Sequence, residues 1–358
     1  MRELDSKLNQ KPQVNLARPT AVRMWLVCLC AGLAIIQSSW TDQLVSLGIA
    51  SVALGLAILT ELLILYYARN QDSGNSSGRI TDGSAAASAL VLTLLLPNTV
   101  HPVYAGLGAV FAMLVIKHSF GGLGSNWVNP ALAGWLFVRF SWPLAFGKAL
   151  EGSPLWNLPG SLKTGFFGPH GFVALTAGAG NTLDTAVSSF LNHTIFSLTG
   201  SELPGGYIDL LFSNTPGIIA DRGLCALLLG TIVITASQVN RAWIPAVFLG
   251  VYALLIRAFG ALASGGVLGE GDILFGLFSG GTMAAAFLLM ADPATGAKSD
   301  IGMLAAVILG AVFTFIFRYP GGEPYGAFFA VALVNALIPL IRSLENHRLY
   351  SQKVGKGL

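Results

Sequence analysis

What this chain most lacks is charge: Asp, Glu, Lys and Arg together make up 10% of its 358 residues, against about a quarter in a soluble globular domain. With 54% hydrophobic residues and a mean hydropathy of +0.68, the class that fits is an all-α polytopic membrane protein. Cysteine is scarce too. Cys28, Cys30 and Cys225 fall in apolar runs without the spacing of a metal or redox cluster, so they read as small buried hydrophobes. His101, His118, His170, His193 and His347 show no ligand-like spacing. No P-loop, zinc motif or Ser/His/Asp set appears, which leaves ATP-driven transport and soluble-type hydrolysis without support. A net charge of +3 is too small to argue for a nucleic-acid partner.

The few positive charges concentrate at the two ends. Arg2, Lys7, Lys11, Arg18 and Arg23 lie in the first segment, and Arg342, Arg348, Lys353 and Lys356 in the last. By the positive-inside rule both termini face the cytoplasm and the number of spans is even. No cleavable signal peptide is expected, because the first apolar run begins near Ala21 and lacks a small-residue cleavage site. The chain therefore divides into a cytoplasmic arm (1–20), a first membrane repeat (21–147), an outer, periplasmic loop (148–221), a second membrane repeat (222–342) and a cytoplasmic tail (343–358).

Apolar runs cover Ala21–Gln37, Leu44–Tyr67, Ala85–Leu96, Val103–Ile116 and Leu132–Pro143 in the first repeat. In the second they cover Leu224–Ser237, Trp243–Ala263, Ile273–Met290, Ile301–Phe317 and Tyr325–Leu340, which makes about ten spans. GSAAASALVLTLLLP (Gly83 to Pro97) reads like GGTMAAAFLLMADP (Gly280 to Pro293), and each is followed by an apolar run and a glycine pair, Gly121/Gly122 or Gly321/Gly322. With an odd number of spans per half, the second copy is expected to be inverted across the membrane. Short, interrupted helices at matching places in two halves point to a midplane site.

The segment Lys117 to Ala131, KHSFGGLGSNWVNPA, cannot continue a helix, because glycine loses too much chain entropy and Pro130 lacks a donor. Broken backbone at membrane depth is tolerated only where it is buried in protein or lines a polar cavity. Asn126 and Asn129 supply carboxamides there, which suit an uncharged hydrogen-bonding ligand rather than a metal. Lys117 either neutralises a ligand's developing negative charge or snorkels to an interface. Asp292, within MADPAT (Met290 to Thr295), is either a site carboxylate or a solvated turn residue before Pro293. Asp82 and Ser84 either cap a helix or face a ligand at its mouth. Arg241, beside Trp243 and Pro245, marks an interface anchor. These features suit a solute channel as well as a subunit of an enzyme.

Four segments, DGSAAASALVLTLLLP, IKHSFGGLGSNWVNPAL, FLLMADPAT and YPGGEPYGAFFAVALVNALIPLI, together resemble the NqrB/RnfD family, in that family's order from Asp82 to Arg342. Its members are membrane subunits of the sodium-pumping NADH:quinone reductase and of the Rnf ion-translocating ferredoxin:NAD oxidoreductase. GGLG in place of GGTG, and the shorter chain, favour the RnfD branch. The resemblance implies two inverted five-helix repeats with broken helices, and partner subunits both in the membrane and peripheral to it. It also implies a bacterial inner-membrane location and flavin-mediated electron transfer coupled to Na⁺ or H⁺ movement. The chain is then part of a translocase rather than an enzyme alone.

Two flavins follow from the resemblance. A riboflavin is implied near Asn126 and Asn129, with Lys117, Gly121, Gly122 and Asp292 around it. An FMN is implied on a threonine of the outer loop, within D-x-x-S-[GS]-A-T-P-L. The present chain departs from that motif: after Asp184, Ser188 and Ser189 fit its start, but Leu191 stands at the threonine position. A three-residue insertion restores Thr194 as the attachment point, with Thr185 and Thr199 behind it. Ile219-Ala220-Asp221 likewise stands where the family has I-G-E. The rivals are a channel or transporter for a small polar solute, and a structural subunit without cofactor.

Overall fold

The computed structural model describes residues 20–71, 82–121, 126–150, 182–194, 210–212, 217–264, 267–269, 271–297 and 299–355. Gly122, Thr199 and most of the expected outer loop lie outside these residues.

The described residues form helices joined by turns. In the first half these are α1 (Thr20–Thr41), α2 (Val45–Gln71), α3 (Ser84–Leu95), α4 (Pro102–Phe111, continued by a π-helical turn Ala112–His118), α5 (Pro130–Ser141) and α6 (Pro143–Leu150). Helix α7 (Thr182–Thr194) follows within the expected loop. The second half contains α8 (Ile219–Arg222), α9 (Leu224–Ala236), α10 (Trp243–Leu255, wound on through Gly260), α11 (Ile273–Phe278), α12 (Thr282–Ala284, continued by a π-turn Ala285–Met290), α13 (Asp300–Arg318) and α14 (Gly326–Gly355). Among the described residues, five helices are long and apolar enough to cross a membrane: Thr20–Trp40, Val45–Tyr67, Trp243–Gly260, Asp300–Arg318 and Gly326–Glu345. Their exposed faces carry large apolar side chains such as Leu29, Leu63, Leu254 and Ile301, as lipid contact requires. The chain is an all-α polytopic membrane protein.

The expected continuous run Ile273–Met290 is in fact broken. Helices α11 and α12 are separated at Ser279–Gly281, where Gly280 (φ 63°) and Gly281 (φ 71°) turn left-handed. Both glycines lack room for a β-carbon: one at Gly281 would sit 2.3 Å from the Phe328 ring, and one at Gly280 would sit 2.4 Å from the Pro324 carbonyl. Only glycine combines that backbone with that proximity. The first half contains the matching device, since Gly83 (φ 73°) opens α3 as Gly281 opens α12.

The order of packing is also repeated. Helix α2 packs on α4 and α4 on α5, just as α10 packs on α13 and α13 on α14. The halves join chiefly where α1 lies against α9. A single bridge ties Pro97, beyond α3, to Ile218, ahead of α8, with the Ile219 amide donating to the Leu96 carbonyl at 2.9 Å. Cys28 and Cys30 are buried beside backbone carbonyls, in keeping with their expected role as small hydrophobes.

Candidate functional site

The break after α4 is built as its glycine and proline content dictates. Helix α4 loosens into a π-turn over Ala112–His118, a form often found at functional positions. Gly121 follows with φ 99°, and helix resumes at Pro130, whose missing N–H costs nothing in the first turn. Asn129 caps that helix: its Oδ1 accepts from the amides of Ala131 at 2.9 Å and Leu132 at 3.4 Å. Those two donors fix the orientation of the carboxamide, so Nδ2 must point away from the helix. It donates to Asp292 Oδ2 at 2.8 Å.

That bond joins the two halves. Asp292 stands just beyond α12, and its other oxygen accepts from the Ala294 amide at 3.0 Å. Asp292 is thus a turn carboxylate that is also bonded to the asparagine box. Asn126 lies beside it, 6% exposed, and its Oδ1 is buried with no hydrogen-bond partner among the described residues. Such an atom costs about 1–3 kcal/mol unless something donates to it.

Lys117 does not snorkel. It is 3% exposed, and its Nζ donates to Glu61 Oε1 at 2.5 Å and to Ser84 Oγ at 2.6 Å. The Ser84 amide and hydroxyl in turn donate to Asp82 Oδ1, at 2.8 and 2.7 Å. Asp82 and Ser84 therefore organise the mouth of α3 and also hold the lysine. His118 Nε2 is buried 4.0 Å from Glu61 Oε1. Arg241, by contrast, forms an exposed pair with Asp300, as suits an interface anchor.

A slot of about 140 Å³ lies between α1, α3, the break at 117–131 and the turn at 292–294, with walls from Met24, Val27, Val91 and Leu288 and polar residues Lys117, Asn126, Asn129, Asn240 and Asp292. The slot adjoins a wider, more polar vestibule of about 680 Å³, and Arg23, Val239, Asn240, Asp292 and Pro293 line both. The slot alone falls below the range of small-molecule sites, about 300–1,000 Å³, and reaches it only together with the vestibule. Apolar walls with a few convergent amides, two cations (Lys117 and Arg23) and one carboxylate (Asp292) suit a flat ring with polar edges and a polar tail.

The family's sequence model, described as NQR2, RnfD, RnfE, matches residues 7–351. The chain belongs to this family. The D subunit of the proton-translocating ferredoxin:NAD(+) oxidoreductase complex of Clostridium ljungdahlii is 26% identical over 336 residues, 93% of this chain and 92% of that protein. The D subunit of the ion-translocating oxidoreductase complex of Escherichia coli is 29% identical over 362 residues, 98% of this chain and 99% of its own, and the Shigella flexneri protein of the same description matches equally.

Within this NQR2/RnfD/RnfE chain, the structure brings Lys117, Asn126, Asn129 and Asp292 together at the slot and leaves the expected FMN residues elsewhere. On α7, Ser188 is buried, Ser189 is exposed, and Thr194 is exposed at the helix end with its hydroxyl donating to the Phe190 carbonyl at 2.6 Å. Two groups escaped the sequence reading. Glu61 is a lone carboxylate within the apolar span Val45–Tyr67, itself a sufficient signal. Arg318 is 4% exposed at the end of α13. Its Nη1 donates to Tyr252 Oη, the Gly276 carbonyl and Thr282 Oγ1, and its Nη2 to Ser279 Oγ, all within 2.6–2.8 Å.

Proposed function

We propose that this chain is the flavin-bearing integral subunit of an Rnf-type complex of the bacterial inner membrane, with both termini cytoplasmic and its halves inverted. In this role it passes electrons while the assembly, including its other membrane and peripheral subunits, moves Na⁺ or H⁺. The observation that carries the proposal is a slot with apolar walls lined by the carboxamide residues Asn126 and Asn129 and by Lys117, where the Asn126 Oδ1 is buried without a hydrogen-bond partner among the described residues. An isoalloxazine edge offers an N–H between two carbonyls, which is what a carboxamide lacking a donor would pair with. The flavin supplies one- or two-electron chemistry; the protein supplies position and electrostatics. Asn126 and Asn129 would set the ring's orientation, the apolar walls would exclude water, and Lys117 would stand as the nearby cation.

For the covalent FMN, Thr194 is the assignment. Its hydroxyl lies on an exposed helix end and is open to a phosphoester, whereas the neighbouring Ser188 is buried. The purified protein is expected to give a fluorescent band on a denaturing gel, and Thr194→Ala to abolish it. A band that survives Thr194→Ala removes this assignment, and absence of any flavin, bound or released on denaturation, removes the function.

A second reading is a solute channel, but aromatic rings pack around the start of α14. There Trp135 packs edge-to-face against Phe146, Tyr325, Phe328 and Phe329, with ring centroids 5.0–6.2 Å apart. Flux of a small polar solute through flavin-free protein in liposomes would decide for the channel.

A further inference from the structure

We infer that Glu61 is a proton acceptor, and that Lys117 switches its charge by turning between it and the occupant of the slot; this rests on the flavin assignment above. The geometry is of one cation with two claims on it. Glu61 lies inside a membrane span, 4% exposed, and a carboxylate there persists as an ion only while it is compensated. The compensating charge is the Lys117 ammonium, 2.5 Å away. Yet Lys117 also lines the slot, together with Asn126, and its second bond is to a neutral hydroxyl, Ser84 Oγ, held by Asp82.

An electron delivered to the slot's occupant by a reduced iron–sulfur donor would add negative charge there, and that charge would draw the ammonium away from Glu61. The carboxylate, left uncompensated in a medium of low dielectric, binds one proton and becomes neutral. One electron has entered and one proton has been taken up, so the net charge of the site is unchanged. When the electron passes on to an oxidised flavin- or nicotinamide-type acceptor, the ammonium would return to Glu61 and the proton would be released. The groups facing Glu61 are Lys117 and His118 from α4, with Asp82 and Ser84 beyond the lysine. His118 is the relay: its Nε2 is buried and without a hydrogen-bond partner among the described residues, while its ring is 19% exposed.

The cation is a proton rather than sodium. A hard cation needs several oxygens at once, whereas the place Lys117 leaves is bounded by one carboxylate and one hydroxyl, Glu61 and Ser84, enough for a proton. No cluster of three acidic, histidine or cysteine groups occurs among the described residues.

The test uses the assembled complex in proteoliposomes, with electron flux and proton uptake recorded together and sodium uptake as a separate arm. Glu61→Gln is expected to lower protons moved per electron about fivefold or more. A structural role would lower flux and uptake together and leave the ratio unchanged, which overturns the inference. Should Glu61→Gln fail to assemble, the double variant Glu61→Gln/Lys117→Met removes both charges of the pair, a change that buried pairs often tolerate; the same fall in ratio is expected. A fall in sodium per electron with protons unaffected also overturns it. Flavin on the wild-type protein with an unchanged ratio sinks this inference alone, whereas no flavin sinks the function with it.

Discussion

Asn129→Asp isolates the bond that joins the two halves. Aspartate caps a helix as well as asparagine does, so the amides of Ala131 and Leu132 keep their acceptor. What changes is the other side, where a donor 2.8 Å from Asp292 Oδ2 becomes a second carboxylate oxygen. Losing a hydrogen bond to a charged group costs about 1.5–3 kcal/mol. Two facing carboxylates repel by up to about 4 kcal/mol at 4 Å and an effective dielectric near 20, less if they share a proton. The sum is roughly 2–7 kcal/mol, which reaches beyond the usual cost of a single substitution. The exchange Asn129→Asp/Asp292→Asn restores one donor and one acceptor in reversed order, and leaves the Ala294 amide an oxygen to bond. It is expected to recover all but about 1 kcal/mol. The assay is the thermal midpoint of purified protein in detergent, at one scan rate because such unfolding is irreversible, with bound flavin measured on the same samples. An Asn129→Asp protein as stable as wild type, or an exchange variant no better than the single one, would refute the view that this contact holds the slot together.

Further outcomes follow from the same geometry. Lys117→Met should lower the two-electron potential of the proposed flavin by several tens of mV, since a cation is removed from the lining of the slot and such a removal costs a few kcal/mol at an effective dielectric near 20; a spectroelectrochemical titration checks this. Gly223→Ala should block the crossing of α1 and α9, because its β-carbon would sit 2.2 Å from the Ala34 backbone carbonyl, whereas Gly250→Ala, with open space around it, should express normally. Arg318→Lys loses the planar fork that serves four oxygens and should cost about 3 kcal/mol or more in stability, read as a lower thermal midpoint.

How far the sequence reached depended on what each residue's role requires. The break at 117–131 was legible because glycine and proline act through the backbone they occupy. The break inside Ile273–Met290 was not read, because Ser279–Gly281 sits between apolar stretches that look continuous, although aligning Gly280–Pro293 with Gly83–Pro97 contained the signal. Asn126 and Asn129 were found as donors and acceptors, but the partner of Asn129 lies 163 positions away and only the fold supplies it. Lys117 was open between two readings for the same reason. Its fate was decided by Glu61, 56 positions earlier, which the strength of the surrounding apolar run concealed.

Lys117 and Arg318 stand at corresponding places, each ending the helix that precedes a break, and each bonds the first side chain of a short helix, Ser84 of α3 or Thr282 of α12. A cation at a helix N-terminus is unfavourable, so each needs compensation, and the halves supply it differently. Arg318 is spread over neutral oxygens on α10, α11 and α12, and Asp221 takes up the Gly281 amide at 2.8 Å. Aromatic rings pack the adjoining turn, which leaves the guanidinium nowhere to go. Lys117 has a single carboxylate on one side and a slot on the other. A guanidinium held by a fixed fork is a brace, whereas an ammonium on a flexible stem can change partners. On the proposed reading, the difference between arginine and lysine makes one of these cations a fixed brace and leaves the other able to respond to charge.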